Sequence, residues 1–189
     1  MNKRGFELTL NFVVILILSV VVLSFGIKFI HDLVASQEQI IPPVDQQIRN
    51  ELARLIVGNK RVAIAFNKAT IQRGSSEGFG LGIRNTDPTK TYFRINAQCM
   101  KYGSPEQEDL SSGCPPDALS LSYDKSQIRI LNNEYEDTMI VVKVDKRAPP
   151  GNYVVYVNVC SYQSAAGSCP IDDSVHRYDQ LQKIFVTVP

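Results

Sequence analysis

The chain has 189 residues, 44% of them hydrophobic, and a formal net charge of +1. That length holds one domain with a real core plus accessory segments. The near-neutral charge, with lysines and arginines scattered along the chain, excludes a global electrostatic case for nucleic acid.

The first predicted element is an apolar helix over residues 8–27. Twenty residues at about 1.5 Å each span roughly 30 Å, the thickness of a bilayer's hydrocarbon core. Fifteen of the twenty are Leu, Ile, Val or Phe, and none is charged. The expectation is a transmembrane helix continuing to about Gln39, with Lys3 and Arg4 on the cytoplasmic side and everything after Lys28 exported. A cleavable secretory signal fits poorly, because Lys28, His31 and Asp32 precede Leu33-Val34-Ala35 and Leu33 is bulky.

The sequence Lys3-Arg4-Gly5-Phe6-Glu7, followed at once by the apolar run, resembles the leader of type IV pilin-like proteins, especially archaeal ones. The resemblance covers about the first thirty residues. It implies cleavage after Gly5, with Phe6 as the first mature residue. It also implies an apolar helix that becomes the packed core of a filament. Glu7 is then the second mature residue and Leu10 the fifth, where bacterial members carry glutamate. Asn11, Ser19, Ser24 and Gly26 are small or polar positions suited to close helix packing.

Ile40-Ile41-Pro42-Pro43 stops the first helix. A second, amphipathic helix is predicted over 43–57. Val44, Ile48, Leu52, Leu55 and Ile56 recur at spacings of three and four, and Gly58 stands at the position of a C-terminal cap. It reads as a stalk helix packing on the following domain, or as a contact between subunits. From Arg61 the period changes to two. Eight runs read as strands: RVAIAF, EGFGLGIRN, KTYFRINAQC, ALSLSY, SQIRIL, DTMIVVKV, NYVVYVNVC and LQKIFVTV. Asn67-Lys68, Asp87-Pro88, Pro115-Pro116-Asp117 and Ala148-Pro149-Pro150-Gly151 punctuate them. Strands with no interleaved helices predict an antiparallel β-sandwich.

The phrases EGFGLGIRNTDPTKTYFRI and KVDKRAPPGNYVVYVNV are similar to immunoglobulin-like sandwich modules of archaeal cell surfaces. This second resemblance covers about 61–189 and implies fold, not ligand. The expected class is therefore α+β: a long N-terminal transmembrane helix, a short amphipathic helix, then an all-β immunoglobulin-like antiparallel sandwich. The expected segments are a leader-like stretch 1–5, a membrane or filament helix 6–39, a linker with the amphipathic helix 40–60, and the sandwich 61–189.

Four cysteines fall in the exported part, and an even number there suggests disulfides. Of three connectivities, Cys99–Cys114 and Cys160–Cys169 are favoured, because each pair brackets a turn-rich insertion. Zinc is the rival reading, but no C-x₂₋₄-C spacing occurs and the histidines are remote.

Candidate chemistry is sparse. His31 falls just past the apolar run, and His176 in the stretch IDDSVHRYDQ. Ser122-Tyr123-Asp124-Lys125 matches S-x-x-K, yet the companion motifs of serine acyl-enzymes are absent, and a hairpin turn is the plainer reading. Gly78, Gly80 and Gly82 alternate on one face of a strand, marking a close backbone approach or a thin spot. Two acidic clusters, Glu134/Glu136/Asp137 and Asp172/Asp173 with Asp179, read as solvated loops, with calcium as the rival. Tyr102, Tyr135, Tyr162 and Tyr178 are expected in exposed loops, available to an adhesive surface. No catalytic residue, cofactor or metal is expected.

The leading functional expectation is a non-enzymatic subunit of a surface filament. Its partners would be the membrane and, through the N-terminal helix, further copies of itself; an envelope protein is possible and nucleic acid is not expected. The alternative is an uncleaved single-span protein whose sandwich binds an S-layer or motor partner in the envelope.

Overall fold

The computed structural model describes residues 3–35, 45–57, 60–104, 113–165 and 167–189; within the first helix, side chains are described over 12–28. Two compact units are present, Met1–Ile40 and Ile41–Pro189.

In the first unit, α1 runs from Lys3 to Ala35. Its described side chains, 12–28, end on Lys28. Among the described residues no helix is long and apolar enough to cross a membrane. The expectation of a long N-terminal transmembrane helix is corrected on that finding, which leaves the single-span anchor of the alternative reading unsupported. Gly5 and Phe6 lie in the helical backbone, with side chains outside the described residues, as is that of His31.

The second unit is mostly β. It opens with α2, Gln46–Val57, inside the predicted 43–57. Asp45 caps it: its Oδ1 accepts from Gln46 N at 2.6 Å and its carbonyl from Arg49 N at 3.0 Å. Val44 and Gly58 lie outside the described residues.

Among the described residues nine strands follow: β1 Val62–Ile64, β2 Lys68–Thr70, β3 Ser76–Arg84, β4 Tyr92–Gly103, β5 Leu119–Ser122, β6 Ile128–Arg129, β7 Tyr135–Val144, β8 Gly151–Tyr162 and β9 Gln182–Val188. They form two sheets, ordered β1-β3-β7-β5 and β2-β9-β8-β4-β6. This is the immunoglobulin-like arrangement, with β1, β3, β7 and β5 as one layer and β9, β8 and β4 as the heart of the other. One pair breaks the antiparallel expectation: β2 runs parallel to β9, Lys68 opposite Phe185 and Thr70 opposite Thr187.

Between the layers, Phe79, Leu81, Ile83, Ile140 and Val142 meet Phe93, Ile95, Val155, Val157, Ile184 and Val186 in one continuous core. Both rows of β8 are apolar, which leaves its inward face ambiguous in sequence. Tyr153, Val155, Val157 and Val159 point inward, while Cys160 and Tyr162 belong to a smaller outer cluster with Cys169.

Tyr153 marks the corner where β8 begins. It is fully buried, and its hydroxyl donates to the Pro149 carbonyl at 2.6 Å. A tyrosine opening this strand and bonding back across the corner is a hallmark of immunoglobulin-like sandwiches. Burial, first, with the nearby Tyr102 adding to it, pushes its hydroxyl up to about 12. Gly151, at φ 145°, sits against the Gly103 carbonyl, where a Cβ would clash with backbone.

Candidate functional site

The described face of α1 is apolar on every side. Phe12, Val13, Val14 and Ile15 are 64%, 50%, 50% and 64% exposed, and at about 100° per residue these consecutive side chains go once around the axis. Its two serines do not interrupt this surface. Ser19 Oγ donates to the Ile15 carbonyl at 2.7 Å and Ser24 Oγ to that of Val20 at 2.8 Å, so both hydroxyls are satisfied within the helix. The short Ser19 side chain leaves shallow grooves on either side of it. One is lined by Ile15, Leu18, Val22 and Leu23 and the other by Phe12, Leu16 and Val20. At Gly26 an added Cβ would meet nothing within 4 Å.

In the second unit, α2 lies on the outer face of the β1-β3-β7-β5 sheet, as the stalk-helix reading expects. The alternating glycines supply the close approach. A Cβ on Gly80 would fall 2.1 Å from Ile48 Cγ2, and one on Gly82 would fall 2.8 Å from Ile56 Cδ1. Leu52 is fully buried in the seam with Ile56, Ala63 and Ala65. Arg49 pairs with Asp137 at 3.3 Å across it. Gly78 faces Met139 instead, beyond the helix.

Both disulfides form as expected. Cys99–Cys114 and Cys160–Cys169 have Cα separations of 5.9 and 5.7 Å. The second closes a hydrogen-bonded plate over the outer face of β8. Tyr162 donates to the Ser168 carbonyl, and Gly167, at φ 146°, packs on the Tyr162 ring where no Cβ fits. Asn158 is fully buried mid-strand. Its Nδ2 donates to Pro170 O at 2.8 Å, and its Oδ1 accepts from Arg177 Nε at 3.1 Å. Asn158 and Arg177 are missed in sequence; the one available signal is an amide in an otherwise apolar strand.

The remaining candidates are taken up by structure. His176 Nδ1 lies 2.9 Å from Asp173 Oδ2. Asp173 also accepts from the backbone of His176 and Val175, and the His176 N–H above all holds its carboxyl below the ordinary range. Asp179 accepts from Val62 N at 3.0 Å, and Glu134 from Leu131 N at 3.1 Å. The acidic clusters thus engage backbone and Arg49, and among the described residues no group of three or more His, Cys, Asp or Glu is placed to hold a metal.

Ser122 ends β5, and Asp124 Oδ1 accepts from Ser126 N at 2.8 Å in the turn that follows. That turn is not a hairpin, because β5 and β6 belong to different sheets. Three of the four tyrosines expected in exposed loops are packed. Tyr178 enters the core edge-on to Phe93 at 4.9 Å and donates to the Arg84 carbonyl. Tyr162 is buried beneath its loop, and Tyr102 tilts on Tyr153 at 4.8 Å with its hydroxyl on Pro150 O. Tyr135 alone is exposed, at 36%, and it lies in a strand.

No family model matches the chain, and no curated protein does. Solved structures share the sandwich architecture at low identity. A PapD-like domain of human CEP192 matches over 68% of this chain and 85% of its own, with 11% identity and a TM-score of 0.45. The Caenorhabditis elegans MSP family member WR4 matches over 68% and 96%, with 4% identity and a TM-score of 0.41. The E. coli chaperone DraB matches over 68% and 55%, with 15% identity and a TM-score of 0.39. At these values the likeness assigns no function, and the pilin-like reading rests on the first thirty residues alone.

Proposed function

We propose that the chain is a non-enzymatic subunit of a type IV pilin-like surface filament, in which α1 packs against α1 of other copies and the sandwich forms the outer surface. The observation that carries this reading is the apolar surface of α1, present on all sides over 12–27. A helix hydrophobic all round is stable only when covered, and in the present reading the cover is further copies of the same helix. The grooves beside Ser19 suit the ridges of a neighbouring helix. Gly26 supports it further: a mid-helix glycine costs about 1 kcal/mol against alanine, and nothing described in this chain requires it, whereas a close helix–helix approach would. Two disulfides suit an exported domain. Leader removal after Gly5, leaving Phe6 first, belongs to the same proposal.

The test is to isolate the protein from its native cells, read its N-terminal residue, and compare sedimentation with a Val20→Asp variant. A chain beginning at Phe6 that pellets as filaments, with the variant processed but unassembled, is the expected result. An unprocessed chain, or a variant that assembles equally well, overturns the reading.

A further inference from the structure

The cations scattered along the sequence are gathered by the fold. The five strands of the β2-β9-β8-β4-β6 sheet carry Lys68, Arg94, Lys101, Arg129 and Lys183 and no Asp or Glu. The strands of the opposite sheet carry Glu77, Glu136 and Asp137 against Arg84 and Lys143. The basic sheet's outer face is partly roofed by the disulfide-closed plate at Asn158–Tyr162. Over its other end the described residues place no such cover.

Register orders that end. One row across four strands reads Lys68, Phe185, Val154, Lys101, and the next reads Lys183, Tyr156, Gln98. At about 4.8 Å per strand, Lys68 and Lys101 stand roughly 14 Å apart. All three lysines are exposed, and among the described residues none pairs with a carboxylate. Lys68 Nζ lies 5.8 Å from the Phe185 ring centre and Lys183 Nζ 5.5 Å from that of Tyr156. The ammonium groups of Lys68 and Lys183 therefore sit over rings.

At the rim stands Phe66, 62% exposed and at φ 51°. A bulky residue rarely adopts that conformation or that exposure without a use. The next residue ties it to the face: Asn67 Nδ2 donates to Lys183 O and Asn67 O accepts from Phe185 N.

We infer that this face, made by Lys68, Lys101, Lys183 and the Phe66 ring, binds an acidic polysaccharide of the polyuronate class. The described strands present a continuous sheet surface, which fits an extended chain rather than a small molecule. Regularly spaced carboxylates match separated lysines on a sheet whose described strands carry no acid, while an exposed ring offers a plane to a sugar face. Gln98, Asn152 and Thr187, also exposed, supply hydrogen-bonding groups between the charges.

The test measures binding of the full chain to sodium alginate, with dextran and duplex DNA as comparison probes. The variants are Lys68→Gln/Lys101→Gln/Lys183→Gln, Phe66→Ala, and a charge-matched control, Lys125→Gln/Lys143→Gln/Lys146→Gln. Alginate is expected to bind, dextran not. The first triple variant should weaken alginate binding about tenfold and Phe66→Ala several-fold, the control less than twofold, and added salt should weaken what is left. Equal loss in the two triple variants, absence of alginate binding, or duplex DNA binding as tightly as alginate with Phe66→Ala neutral would each overturn the inference. Filament assembly does not enter the readout, so failure of that reading leaves this one standing.

Discussion

Tyr153 shows how one side chain can join two parts of the sandwich. Its ring fills the core and its hydroxyl ties the β7–β8 corner through Pro149. Tyr153→Phe keeps the ring but strands that carbonyl. A loss of about 1–3 kcal/mol is expected, read as a lower urea midpoint with unchanged slope. The same group sets an alkaline limit. Tyr153 is held up to about 12, burial being the main cause. The unfolded tyrosine ionises near 10, so between about pH 10 and 12 the native state binds more protons than the unfolded one. Stability is then full below pH 10 and falls as pH rises through that window. An unfolding series from pH 8 to 12 should show the fall, made shallower by Tyr153→Phe.

At this scale the sequence was partly legible. Ala-Pro-Pro-Gly-x-Tyr marked the corner, because proline and glycine restrict backbone in ways visible from residue type alone. The burial of Tyr162 and Tyr178 was not visible. Each lies in polar surroundings in sequence, and each is drawn inward by partners far along the chain or by a covalent closure.

Among elements, α2 and the glycine row of β3 explain each other. A helix can sit this close to a sheet only where side chains are missing beneath it. Gly80→Ala drives a methyl into Ile48 Cγ2 and is expected to cost about 1–3 kcal/mol by overpacking. Ile48→Ala should recover part of that loss when combined with it, so a double-mutant cycle on urea unfolding gives a coupling well outside additivity. Additive losses would mean that α2 does not press on Gly80.

Eight strands and the short helix were readable from period and turn chemistry. β2 was missed: with three residues, two of them exposed, it carries no alternation. Its pairing partner lies 117 residues on, at Phe185. The cations of the basic face were hidden for the same reason, since strand order, not chain order, makes them neighbours.

For the molecule as a whole, the two disulfides close loops of 15 and 9 residues by sequence separation. Each is worth roughly 3 kcal/mol in the chain-entropy model. The Cys160→Ser/Cys169→Ser variant should lose about that much and also free the plate over Asn158, giving faster amide exchange in 163–181 than in β3 or β7. Cys99→Ser/Cys114→Ser should lower the unfolding midpoint without that local signature. If both variants exchange alike, the plate is not a separately closed unit.

The parallel pairing of β2 with β9 has a mechanical consequence. Because the two strands run in the same direction, tension that pulls β2 from its leading end and β9 from its trailing end slides them past one another. All the cross-links of that ladder then bear load together, where an antiparallel hairpin pulled at its open end would give way one link at a time. A sandwich pulled between β2 and β9 is in this way built to resist tearing along its length.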